Sequence, residues 1–257
     1  FRRVLFRSRD CLFGVNFEQT NRSVIEDNDI TSLPVSLGLK GDGIRLWYSH
    51  GNLIRMNRTR YVRDNVFWYS SANKIYENSG ADSRYSLHFM YADRNEILSN
   101  DYRRNSVGIF LMFSQGSTLK RNFVADSTGP FGIGIGMKES SDILVEENQI
   151  LYNARGFYLD SSPYQPGTLN TFRGNEINFN TTAFLLHGTL LPSLFESNVF
   201  KGNIEDVAND TPESKLEINT WRSNYWDNYE GFDRNDDGYG DIPHEQWMYA
   251  DRIWSYL

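Results

Sequence analysis

Three side chains of soft-ligand type sit close together in this sequence. L-H-F-M-Y at 87–91 and G-I-F-L-M-F at 108–113 supply His88, Met90 and Met112, with the two methionines 22 residues apart. Side chains alternate between faces along a strand. On that count Ile109, Leu111 and Phe113 point inward, and Phe110 and Met112 outward. Leu87, Phe89 and Tyr91 likewise point inward, and His88 and Met90 outward. Imidazole and thioethers together suit Cu(I) in particular. Exposed methionines equally suit a protein-docking surface, because the thioether side chain adapts to many shapes.

A second group of residues with metal-ligand chemistry lies at 224–244, N-Y-W-D-N-Y-E-G-F-D-R-N-D-D-G-Y-G-D-I-P-H. Asp233, Asn235, Asp237, Tyr239 and Asp241 fall at positions 1, 3, 5, 7 and 9 of a loop with Gly238 at position 6, the opening of an EF-hand-like calcium loop. Position 12, where a bidentate Glu belongs, is His244. Two readings stay open, a calcium loop of reduced affinity and a metal-free Asx-rich turn. Trp221, Tyr225, Trp226, Tyr229 and Phe232 around it are expected to cover the apolar end of the structure before it.

Other candidates are weaker. His50 precedes a Gly and is placed on a corner, and His187 follows A-F-L-L and is placed at a semi-buried, satisfied position. Lys138, Arg155 and Asp160 are charged groups placed near one outer face, and D-I-P-H-E at 241–245 bears a faint likeness to a catalytic stretch of alginate epimerases. These groups keep a carbohydrate-active reading in view: a polysaccharide lyase, an epimerase or a sugar-binding module. The sequence contains no H-E-x-x-H, Cys cluster, G-x-S-x-G or P-loop.

What must position these residues is a repeat. An apolar-x-x-Asn pattern ends at Asn57, Asn78, Asn100, Asn122, Asn148, Asn175 and Asn198, in steps of 21, 22, 22, 26, 27 and 23 residues. A second Asn often follows five residues later, at Asn105, Asn153, Asn180 and Asn203. Short runs of period two lie between: G-I-R-L-W, G-I-F-L-M, G-I-G-I-G-M and G-F-Y-L-D. In G-I-G-I-G-M-K, Ile133, Ile135 and Met137 are assigned inward and Lys138 outward. A fixed period of this size signals a solenoid whose coils bury their apolar faces only by stacking. Polar corners and the lack of an L-x-x-L-x-L frame predict an all-β parallel β-helix with coils of about 22 residues. The repeated Asn residues are expected to build the corners, taking left-handed backbone geometry and forming amide ladders. Two coils lengthen, at 123–131 and 160–169, and these insertions are expected to be neighbours in space.

The chain has 257 residues, 39% of them hydrophobic, enough for a sizeable core. A net charge of −7 argues against a nucleic-acid partner. Cys11 is the single cysteine, so no internal disulfide forms. Four of the first nine residues are Arg, with no initiator Met and no apolar signal core. Residues 1–9 are therefore expected to be a non-native or fragment edge, with the true N-terminus and any signal peptide elsewhere. Residues 10–215 are assigned to β-helix coils and 216–257 to a C-terminal cap.

N-Y-W-D-N-Y-E-G-F-D-R-N-D-D-G-Y-G-D-I-P with the following Y-A-D-R-I-W, L-H-F-M-Y-A-D-R-N and G-I-F-L-M-F-S resemble the signature stretches of NosD-type proteins, and the likeness spans about residues 20–257. The resemblance implies a right-handed parallel β-helix in the bacterial periplasm with no enzymatic activity of its own. It implies work in maturing nitrous oxide reductase, with an ABC transporter made of a membrane subunit and an ATPase, and with a copper-chaperone lipoprotein. The membrane is then reached only through partners. Copper is the cargo implied, and His88, Met90 and Met112 match the family's H-x-M-Y and L-M strands, as contacts for the metal or for a partner.

Overall fold

The computed structural model describes residues 3–4, 7–212 and 214–246. The end of the terminal signature, Y-A-D-R-I-W, and part of the 1–9 edge lie outside the described residues. Each coil contributes one strand to each of three sheets, here named A, B and C. Lys74–Tyr76, Ser79–Ala81 and Tyr85–Met90 form one such coil. Stacking gives three sheets of ten, ten and nine strands among the described residues, and the chain is a parallel β-helix. Every backbone hydrogen bond of a strand thus goes to the coil before or after it.

Inward columns run along the axis. One passes from Ile25 through Ile54, Ile75, Ile97 and Leu119 to Phe172 and Phe195, all fully buried. Burying such a side chain is worth about 1.5–3 kcal/mol, so each coil adds its stability by contact with its neighbours alone. At the far end Trp221 stacks on Phe195 at 3.8 Å and Trp226 on Phe200 at 4.1 Å. Their strands, Thr220–Arg222 and Tyr225–Trp226, continue sheets A and B beyond residue 215. Tyr229 donates its hydroxyl to the Ile242 carbonyl, whereas Tyr225 and Phe232 are exposed.

The seven expected asparagines form one continuous buried ladder between sheets A and B. Each backbone N–H and side-chain amide donates to the Oδ1 of the next Asn, as from Asn57 to Asn78 at 3.0 and 2.9 Å. The column also takes in Asn28 and Asn224. The backbone reason given for these residues needs correcting. The left-handed residue is the one before each Asn: Met56, Glu77, Ser99, Arg121 and Glu147 all have φ near +54°. That residue turns the corner, and the turn aims the following Asn inward.

Sheet C corrects three further expectations. Tyr91 and Phe113, assigned inward, end their strands at φ +50° and +52° and swing outside. They extend an external stack Tyr48–Tyr69–Tyr91–Phe113, with ring centroids 4.8, 5.1 and 4.8 Å apart. Ile133, also assigned inward, belongs to a small apolar cluster outside the sheet, with Val107 and Phe110. The cause is a doubled inward step at the start of each strand. Ala183 and Phe184 are consecutive residues of one core, and Gly156 and Phe157 occupy the same places a coil earlier. At two of these places the backbones pass too closely for a side chain: a Cβ on Gly108 would lie 2.5 Å from the Gly134 carbonyl oxygen, and one on Gly134 2.7 Å from that of Gly156. Finally, the two insertions are not neighbours. The first joins sheet B (Phe123–Ala125) to sheet C (Ile133–Lys138), and the second joins sheet C (Arg155–Asp160) to sheet A (Asn170–Arg173). They leave from opposite ends of the sheet C strands.

Candidate functional site

The outer face of sheet C carries the His and Met residues. Met90 pairs in register with Met112 and His88 with Phe110, and on the other side Met90 pairs with Trp68. His88 and Met112 are in contact, Nε2 to Sδ 3.3 Å. Met90 stands beside them in the same outer row, one strand spacing of about 4.8 Å from Met112 at the backbone.

The imidazole is held from three sides. Pairing with the preceding coil slips by one residue between Tyr85 and His88. Ser86 and Leu87 both turn inward, so Tyr85, three residues before His88, shares its outer face and stacks on the ring at 4.6 Å. Asp64, only 2% exposed, sets Oδ2 3.7 Å from Nδ1, a charge contact rather than a hydrogen bond. Arg84 grips the same carboxylate through two contacts, Nε to Oδ1 at 2.8 Å and Nη2 to Oδ2. Burial alone would push the Asp64 carboxyl up. The hydrogen bonds from Arg84 and the proximity of His88 outweigh it and hold the carboxyl below its ordinary value. Asp64 stands on the Nδ1 side of the ring and Met112 on the Nε2 side.

Met112 packs against the outer cluster of Val107, Phe110 and Ile133. Phe110, correctly placed on the outer face, is nonetheless buried, because its ring lies over Gly136, where a Cβ would stand 2.3 Å away. Trp68 makes an edge contact with Trp47 at 4.6 Å. The result is an imidazole and two thioethers on a largely apolar wall, the setting in which a weakly hydrated monovalent ion is favoured over hard divalent ones.

Asp64, Arg84 and Tyr85 were not singled out from sequence. The signal that would have found the first two is an Asp followed one coil later by an Arg. Asp42–Arg63 (2.9 Å) and Asp82–Arg104 (2.9 Å) show the same pattern.

The remaining candidates separate. Lys138 and Asp160 pair at 2.8 Å and so neutralise each other. Arg155 is at the other end of its strand from Asp160, donating to the Pro130 carbonyl. A polysaccharide-acting site would need these groups facing a sugar rather than one another. His50 accepts the Ser71 N–H at a corner, as expected. His187 ends the strand Thr182–His187 half-buried and satisfied, as expected, with Nδ1 2.8 Å from the Asp210 carboxylate. His244 stacks on Trp226. In the Asp-rich loop the carboxylates face the loop's own backbone. Asp233 accepts from Asp237 and Gly238, Asp237 from Tyr239, and Asp241 from Arg234. Among the described residues no three His, Cys, Asp or Glu converge on one point as a metal site. Nor is any helix among them long and apolar enough to cross a membrane.

Fold and site together define a β-helix protein with a His/Met-bearing outer face. Residues 20–231 match the family described as periplasmic copper-binding protein (NosD), and the chain belongs to that family. It is 29% identical over 154 residues to a protein of Stutzerimonas stutzeri named probable ABC transporter binding protein NosD. That match covers 58% of this chain and 31% of the relative, so the chain spans about a third of the relative's length. Among solved structures it resembles the A-module of the mannuronan C-5 epimerase AlgE6 from Azotobacter vinelandii. The TM-score is 0.50 at 13% identity, over 80% of this chain and 64% of that one, a likeness of fold.

Proposed function

We propose that this chain is a non-enzymatic periplasmic subunit that receives Cu(I) as cargo and hands it on during maturation of nitrous oxide reductase. The observation that carries the reading is the His88–Met112 contact at 3.3 Å, backed by the Asp64 carboxylate and flanked by Met90. In this reading His88 Nε2 and the two thioethers hold the ion, and Asp64 supports the imidazole from behind. Thioethers bind softly and exchange quickly, as transfer demands. The family description supports copper, and the relative's name supports an ABC transporter as partner. A copper-donating lipoprotein and the reductase apoprotein complete the handover.

The test is an anaerobic Cu(I) competition titration of the chain and of the His88→Ala/Met90→Ala/Met112→Ala variant, with circular dichroism to confirm that both fold. Binding by the parent and its loss in the variant is the expected result. Equal binding by both would move copper elsewhere on the chain. No binding by either would leave sheet C as a docking face.

A further inference from the structure

A concave notch of roughly 230 Å³ opens on the outer face of sheet B, on a different sheet from the His/Met residues. Its floor is the strand Ser79–Ala81. Ser79 and Ala81 face out with almost no side chain, and Gly80 faces the core beside Ser86 and Tyr102. Long side chains rise on both sides. Arg58 and Arg60 stand in register with Ser79 and Ala81 on one flank, and Asp101 and Arg103 on the other. Arg104 closes the corner. The flanking strands are two strand spacings apart, about 9.5 Å, so Arg60 and Arg103 oppose each other across Ala81 with room for a small ion between them.

Three of these guanidinium groups are held by carboxylates. Asp101 grips Arg103 through two bonds, 2.7 and 2.9 Å, and the same guanidinium lies 4.2 Å over the Phe123 ring. Asp82 grips Arg104 at 2.9 and 3.1 Å, and Arg60 leans toward Asp29 at 3.5 Å. Arg58 has no acidic partner among the described residues. Four guanidinium groups line the notch with a single carboxylate, Asp101, while Asp29, Asp82 and Asp126 act on them from outside it. The lining itself is net positive on a chain whose net charge is −7. A guanidinium has five N–H donors and a bidentate carboxylate takes two, so each gripped arginine keeps donors to spare.

A single carboxylate presents its acceptor sites in one plane. Donors arriving from opposite walls and a corner are better matched by a tetrahedral ion, with acceptor oxygens in several planes and a second negative charge. We propose that this notch binds a phosphate- or sulfate-type oxyanion, carried by a soluble ligand or by a lipid headgroup, with Arg58, Arg60 and Arg103 as its principal contacts and Ala81 as the floor that makes room for it.

Titration calorimetry with inorganic phosphate at low ionic strength tests this on the full chain. Ala81→Leu fills the notch without changing charge, Arg58→Ala/Arg60→Ala removes one wall, and Arg121→Ala, on a neighbouring corner, controls for charge loss. One saturable site is expected, weakened at least about tenfold by the first two variants and unchanged by the third. Absence of saturable binding, or an Ala81→Leu chain that binds as well as the parent, overturns the proposal. Co-sedimentation with phosphatidylglycerol against phosphatidylcholine vesicles then separates the sources. Anionic-vesicle binding abolished by Ala81→Leu assigns the oxyanion to a lipid, and phosphate binding without vesicle binding assigns it to a soluble ligand.

Discussion

At the scale of single residues, two aspartates one coil apart behave oppositely. Asp64 accepts Arg84 through both oxygens and faces His88, so its carboxyl is held below the ordinary value against the pull of burial. Asp42 is raised: burial dominates, Arg63 compensates only partly, and the charge of Asp64 adds repulsion. Asp64 therefore contributes stability that is present above the unfolded carboxyl pKa and is lost as pH falls through its lower folded value. Asp42 works the other way. Stability declines as pH rises from the unfolded carboxyl value through the raised folded one. A carboxyl-carbon NMR titration should see Asp42 protonate first on acidification and Asp64 last, and the reverse order would refute the assignment. In the copper reading, Asp64→Asn keeps the shape but removes the charge behind His88. Cu(I) affinity should then fall by about tenfold, the lower end of the cost of losing such a supporting group, while an unchanged affinity would show that Asp64 serves packing alone.

At the scale of elements, the Asn ladder and its corner residue divide the work. Asn100 accepts from Asn78 and donates to Asn122 and to the Ile75 carbonyl, all buried. Asn100→Ala leaves those groups unpaired and should cost about 2–4 kcal/mol in denaturant unfolding, since each orphaned buried group costs roughly 1–3 kcal/mol. Ser99, next door at φ +54°, carries the left-handed strain. Ser99→Gly relieves it and should leave stability within about 1 kcal/mol of the parent or above it. If Ser99→Gly proved the costlier change, the division of roles would be wrong. Sheet C makes a parallel point. Gly136→Val must displace the Phe110 ring and should cost about 1–3 kcal/mol by overpacking. A Phe110→Ala background should recover part of that loss, and full additivity of the two changes would count against the contact.

At the scale of the whole molecule, stacking leaves each end of the helix to be closed. Trp221 and Trp226 cover the last coil, and Tyr229 ties the segment after them to Ile242. The Asp-rich loop follows, its carboxylates already gathered by backbone amides. Of the two readings open for this loop, the calcium one implies an affinity of about 10⁻⁴–10⁻³ M, the range of extracellular modules. Millimolar Ca²⁺ should then raise the melting temperature, an effect lost in Asp233→Ala/Asp237→Ala. A melting temperature indifferent to Ca²⁺ would make the loop a turn stabilised by its own side chains.

The sequence by itself determined the coil. An apolar-x-x-Asn period near 22 residues has one economical solution, because a short amphipathic strand can bury its face only on its own repeat and stacked Asn amides can pair with one another from coil to coil. It also determined that Met90 and Met112 would stand side by side, since register follows from the period. What only the tertiary structure decided lies where strict alternation fails. The doubled inward step that puts Tyr85 on His88 and carries Ile133 outside depends on how closely neighbouring backbones pass at Gly108 and Gly134. The left-handed ends of Tyr91 and Phe113 depend on where each corner turns. Asp64, 24 residues before His88, reaches the imidazole because stacking brings consecutive coils within about 5 Å, a proximity that chain separation conceals.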